Sequence, residues 1–272
     1  MPTNENLNIP FHPGLMGGSN QVASRLRIGP EDGAYDAYFA ALEQARITNK
    51  FPCAIIHPSR YMHGISGSTS ATVGMWQADY DTGGTASWSG NDGWRLNTGT
   101  SSGNKITVRH LSRWVPANDK WVTFQIRARV QATANTGFAF GIMASNTDPF
   151  TSNPSNGVWL HKTNASADVV GRAQGGGSGA SDTATPLATL VDASGARTGF
   201  VTLGFAFKKA TAAADCQGFF HVNRTTVVPF TSAQLTEVSQ LTGDMFFMFC
   251  AQTGTGAARY AEILSAIGEC DE

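Results

Sequence analysis

Residues 122–131 alternate apolar and polar side chains without a break. Val122, Phe124, Ile126, Ala128 and Val130 hold the even positions; Thr123, Gln125, Arg127, Arg129 and Gln131 hold the odd ones. Period two over that length describes a strand with one face buried and the other wet. The pattern returns at Phe138, Phe140 and Ile142, at Val201, Leu203, Phe205 and Phe207, and at Phe220 and Val222. Such a chain folds as an antiparallel sandwich or barrel.

Composition supports that reading. The chain has 272 residues, room for one large β domain, and an apolar fraction of 41% supplies a core. Only 14% of residues are charged, and there are 30 glycines. Solubility must therefore come from hydroxyl and amide groups more than from charge. Net charge is −1, from 19 basic and 20 acidic residues, with no positive stripe of the kind a nucleic-acid groove requires. No apolar run is long enough to span a bilayer, and Met1–Pro10 is too polar for a signal sequence. Neither nucleic acid nor membrane is expected as a partner.

The four cysteines, Cys53, Cys216, Cys250 and Cys270, form no CxxC pair, so no zinc knuckle is expected. Cys216 and Cys250 lie in apolar strand-like runs and read as buried free thiols.

Residues 1–30 carry Pro10, Pro13 and Pro30 among several glycines and read as an extended arm. A helix is expected from Asp36 to Lys50, with Phe39, Ala40, Leu42 and Ile47 on its apolar side, and it is the only convincing helix of the chain. The organisation expected is an arm-and-helix docking segment at 1–60 and a β-sandwich domain at 61–272. Expected strands include Ala54–Ile56, Val73–Gln77, Trp94–Asn97, Lys105–Leu111, Val227–Phe230, Met245–Ala251 and Arg259–Ala266. Gly171–Asp182, with three consecutive glycines, reads as a loop.

No catalytic set stands out. The six histidines are scattered. Sandwich-fold glycosidases need two carboxylates projecting into one cleft, yet the expected strands hold few acids and Glu262 stands alone in its run. Asp79-Tyr80-Asp81 reads as a turn. Asp79, Asp81 and Asp92 offer oxygen ligands in a Gly-rich region, but a loop completing the core is the better reading, and no cofactor or metal is assigned. In the same region Trp76, Trp88 and Trp94 are candidates for a sugar platform, against the alternative that they are core.

Four blocks carry a resemblance: Trp121–Phe150, with its Asn-Thr-Asp-Pro loop; Gly157–Val170, a strand, a lysine and an Asn-containing turn; Gly199–Val227, paired strands and a hairpin; and Leu241–Glu269. Residues 120–269 resemble virion structural proteins of tailed bacteriophages with a concanavalin-A-like, laminin-G-like jelly roll. Where that family has Asp-Gly in the hairpin, this chain has Asn223-Arg224, and a wider turn is expected.

The resemblance implies an all-β, antiparallel jelly-roll sandwich without enzymatic activity. It implies a head decoration or cement protein on the capsid surface of a virion, made in the host cytoplasm. The major capsid protein and neighbouring copies, as a trimer, would be its partners, with Phe11, Phe39 and Leu42 as docking residues. The alternative is a carbohydrate-binding module of a tail fibre, spike or head fibre, with host-surface glycans as partners. A glycan-cleaving enzyme of the same fold is a third reading.

Overall fold

The computed structural model describes residues 53–54, 65–66, 70–73, 76–88, 94–144, 149–150, 154–176, 179–194, 198–223 and 225–270. The expected arm and helix, with Phe11, Phe39 and Leu42, lie outside them.

Two antiparallel sheets of nine strands each face one another. Sheet I runs β16 (Thr226–Pro229), β15 (Gln217–Val222), β14 (Val201–Lys208), β8 (Trp121–Val130), β18 (Tyr260–Cys270), β6 (Trp94–Asn97), β5 (Thr85–Trp88), β2 (Ile65–Ser66), and β1 (Cys53–Ala54) also pairs with β18. Sheet II runs β12 (Ser181–Asp182), β11 (Asp168–Gln174), β10 (Gly157–Lys162), β9 (Thr136–Met143), β17 (Met245–Thr253), β7 (Lys105–Trp114), β4 (Trp76–Tyr80), β3 (Ser70–Val73), with β13 (Ala188–Thr189) beside β11. The alternation predicts an antiparallel sandwich or barrel, the resemblance implies a jelly roll, and the chain is a jelly-roll sandwich.

The even residues of β8 and the odd apolar residues of β14 point between the sheets, and Phe124 stacks on Phe205 at 5.3 Å between ring centroids. It meets Phe247 of sheet II at 5.9 Å. Phe140 and Phe249 continue the contact within sheet II, 5.9 Å apart. Each such ring removes a large apolar area from water, so this aromatic seam dominates the cohesion between layers. Cys216 and Cys250 are buried, as expected.

Several boundaries differ from the sequence reading. The expected strand Val73–Gln77 is two strands, β3 ending at Val73 and β4 beginning at Trp76. Asp79 and Tyr80 are consequently strand residues and not a turn; Tyr80 is 5% exposed, in the core. A helix absent from the sequence reading, α1 (Ser232–Ser239), precedes β17. Its start is a reciprocal cap: Thr231 Oγ1 accepts from Gln234 N at 3.2 Å while Gln234 Oε1 accepts from Thr231 N at 3.0 Å.

The β15–β16 connection is wider than a two-residue turn, as expected. Val222 pairs with Thr226, leaving residues 223–225 in the loop. Asn223 takes φ +48°, a left-handed conformation that Asn tolerates. Its side-chain oxygen accepts from Thr202 N at 3.1 Å.

Candidate functional site

Trp94 does not belong to a sugar platform. It is 1% exposed, in the core, with its ring edge-on to Phe249 at 6.1 Å. The cause is β6, the strand expected at Trp94–Asn97: Trp94 and Leu96 share its inward parity. Trp88 is its cross-strand neighbour and Trp76 pairs with His110; the side chains of Trp76 and Trp88 lie outside the described set. Asp79 is exposed, Asp81 Oδ2 accepts from Lys105 N at 2.9 Å, and Asp92 is outside the described residues.

The outward face of sheet II offers a different arrangement. Its strands align residues in rows. One row reads Arg172, Trp159, Gly141, Met248, Arg109, Gln77 across five adjacent pairings. The next reads Val170, His161, Ala139, Cys250, Thr107, Asp79. Trp159, Met143, Met248, Cys250 and Ala139 form a second apolar cluster, separate from the core between the sheets, with Phe150 and Phe246 packed against it. At its flanks Arg172 makes a fork to Asp182 (Nε–Oδ1 2.5 Å, Nη2–Oδ2 2.9 Å), and Arg109 Nη2 donates to Gln77 Oε1 at 2.6 Å.

At the loop end of this face, four side chains gather. Phe150 is half-buried and tilts against the His161 ring at 6.0 Å. Asn164, in the β10–β11 turn, donates from Nδ2 to Gln252 Oε1 at 3.3 Å. Gln252, near the end of β17, in turn donates to Gly103 O at 3.3 Å. Two glycines make this closeness possible. A methyl group on Gly137 would stand 3.2 Å from both the Phe150 ring and Asn164 N. One on Gly254 would stand 3.0 Å from Asn164 Cβ. A larger residue at either position would push the aromatic ring and the amide apart.

The patch is electrically neutral. Burial first, then the positive charges of Arg172 and Lys162, lowers His161 to about 3, so its imidazole carries no charge at physiological pH. His161 Nε2 is buried with no hydrogen-bond partner among the described residues, and the same holds for Trp159 Nε1 beneath. Below the patch lies Lys162, fully buried, whose ammonium donates to three backbone carbonyls: Thr136 O at 2.6 Å, Thr163 O at 3.0 Å, and Thr133 O. Burial lowers it to about 8, with Asp192 and Asp168 pulling the other way, so it remains charged at pH 7.

An aromatic ring beside paired amides suits a neutral polyol: the ring takes a C–H face, and the amides both donate and accept. The one carboxylate noted within a strand run, Glu262, is committed elsewhere. It is fully buried on sheet I between Arg129 (2.7 Å) and Arg95 (3.4 Å).

Sequence reasoning did not find Phe150, His161, Asn164 and Gln252 as a group, because they come from separate segments. Lys162 did leave a signal: it follows Val158 and Leu160 at the inward parity of β10.

No family model matches the chain, and no curated protein matches its sequence. Among solved structures, the chain is similar to the carbohydrate recognition domain of Emp47p, at 14% identity over 77% of this chain and 100% of that one, with a TM-score of 0.48. It is also similar to peanut lectin, at 10% identity over 77% and 95% of the two chains, TM-score 0.42. An endo-1,3-beta-glucanase from Streptomyces sioyaensis is 12% identical over 77% and 93%, TM-score 0.44. These likenesses concern the path of the chain and say nothing of ligand or activity.

Proposed function

We propose that this protein is a non-catalytic glycan-binding module that takes an uncharged sugar at the Phe150–Asn164–Gln252 patch. The observation that carries the reading is the linked amide pair beside a half-buried aromatic ring, on a sandwich face with a neutral histidine behind it. Neutral glycans present that chemistry: alternating hydroxyl donors and acceptors around an apolar ring face. A charged ligand would meet no free counter-charge among these four side chains.

A glycan array followed by calorimetry tests the reading. The full chain is expected to retain one or more neutral glycans. Phe150→Ala and Asn164→Ala should each weaken binding about tenfold or more, the order expected for a lost stacking face or a lost hydrogen-bond pair. Retention of acidic glycans only, or variants that bind as the parent does, would refute it.

The capsid-decoration reading would place residues 1–60 on a capsid lattice through Phe11, Phe39 and Leu42. All three are outside the described residues, and no feature of the described body favours that role. A glycan-binding module is compatible with a fibre or spike, where multiple copies raise avidity without new contacts.

A further inference from the structure

We propose that Lys162 is a built-in cation that ties the β8–β9 and β10–β11 turns together and thereby positions Asn164 and Gly254 at the glycan patch. The proposal rests on the glycan-binding reading for its purpose, but not for its geometry.

Three carbonyl oxygens converging on one buried positive charge form a cation cage. Thr133 O belongs to the β8–β9 connection, Thr136 O to the first residue of β9, and Thr163 O to the β10–β11 turn. A lysine ammonium has three N–H donors, and here each carbonyl takes one. Charge-assisted bonds of this kind are about twice as strong as neutral ones.

The β8–β9 connection is otherwise an unfavourable structure. Ala132 sits at φ +55°, a left-handed conformation costly for an L-residue with a Cβ. Such a conformation persists only where its surroundings over-determine it. Here Asp192 Oδ1 accepts from Thr133 N at 2.5 Å, and Asn135 N donates to Ala132 O at 2.8 Å. Lys162 holds the Thr133 carbonyl from the other side.

Both ends of the cage lead to the patch. Thr163 directly precedes Asn164. On the other side, Asn135 O accepts from Gly254 N at 2.8 Å, and Gly254 is the floor beneath the Asn164 side chain. One ammonium thus sets the spacing between the amide and the glycine it lies on. Burying a charge for this purpose costs stability, which its lowered proton affinity reflects. What it gains is a fixed geometry.

Because the cation is covalently part of the chain, the order of these turns should not depend on an added metal ion. Amide hydrogen exchange on the full chain tests this, with potassium chloride and choline chloride at equal ionic strength as probes. In the parent protein, residues 131–135 and 163–167 should keep their protection in the presence of a chelator. Lys162→Met should speed exchange in both segments about tenfold, the equivalent of one lost charge-assisted bond, while β9 and β17 are unchanged. Potassium, but not choline, should restore protection by entering the vacated cage. Lys162→Gln, a polar replacement, serves where the Met variant does not fold.

Acceleration in one segment alone, no acceleration, or loss of protection on chelation in the parent would each overturn the proposal. If neither variant folds, the chelator comparison on the parent decides. Should the parent bind no neutral glycan while the cage behaves as expected, the ligand reading fails and the positioning role stands.

Discussion

The outward faces of the two sheets solve the same problem in opposite ways. On sheet I, β8, β18 and β6 bring Arg129, Glu262 and Arg95 into one cross-strand row. Arg129 and Glu262 are fully buried and hydrogen-bonded, and each arginine lies over an aromatic ring: Arg129 over Phe200 at 4.5 Å, Arg95 over Tyr260 at 4.4 Å. On sheet II the corresponding positions hold Trp159, Met248, Met143 and Cys250, an apolar layer edged by one ion pair, Arg172–Asp182, and by the Arg109–Gln77 hydrogen bond. Both faces are outward in the sense of the pleat, yet neither is simply wet. The parity of a strand fixes which residues share a face. It does not fix whether water reaches that face. A charge network locks one sheet, while an apolar layer supports a neutral patch on the other.

The sharpest way to break this contrast is to remove the charge that organises sheet I. Glu262→Gln keeps the shape but leaves two guanidinium groups without their carboxylate. A loss of about 3–5 kcal/mol is expected, because a buried charge stripped of its partner keeps its desolvation cost. Urea unfolding measures it. The double replacement Arg129→Met with Glu262→Leu should recover much of that loss. A Glu262→Gln loss below about 1 kcal/mol, the range of exposed pairs, would mean that water screens the network and the two faces are alike.

The complementary test is of pH on sheet II. Burial lowers His161 from 6.5 to about 3. The unfolded chain therefore takes up this proton first as pH falls below 6.5, and the folded state does so only near 3. Stability from this group is complete above pH 6.5 and is lost progressively as pH drops through that window. At pH 4.5 the share lost is about 2–3 kcal/mol. His161→Gln should lack that share, so its unfolding free energy should fall less between pH 7 and 4.5 than the parent's. Equal falls would show that the imidazole protonates in the folded state and that the patch is open to charge.

These two cases also show where the sequence was readable. The alternation of β8 and β14 specifies inward residues, and Phe124, Ile126, Phe205 and Phe207 are indeed in the core. Glu262 looked isolated because its partner, Arg129, lies 133 residues away in the chain. Cross-strand pairing of remote segments leaves no local trace. Trp94 admits two readings, platform or core, and the strand expected at Trp94–Asn97 decides between them by turning the ring inward. The patch was least legible of all: Phe150, Asn164 and Gln252 come from three separate segments, and only the sheet register brings them together. The helix α1 did carry a local signal, the Thr-x-x-Gln cap, but its eight residues hold too few apolar side chains for a period to emerge.

That helix gives the finest test, because it anchors the edge of sheet II. Gln234 serves twice. Its oxygen completes the cap, and its nitrogen donates to Gly171 O at 3.0 Å and Ser181 O at 3.3 Å, joining α1 to β11 and β12. Glu237 Oε2 accepts from Gly175 N at 2.7 Å and fixes the start of the glycine loop. Gln234→Ala should therefore cost about 2 kcal/mol, because it removes the two bonds to β11 and β12 as well as uncapping the helix. Thr231→Ala removes only the hydroxyl side of the cap and should cost about 1 kcal/mol. Thermal unfolding of both variants measures the difference. If the two losses are equal, Gln234 acts as a cap alone, and the edge of sheet II is held by its own strand pairing rather than by the helix.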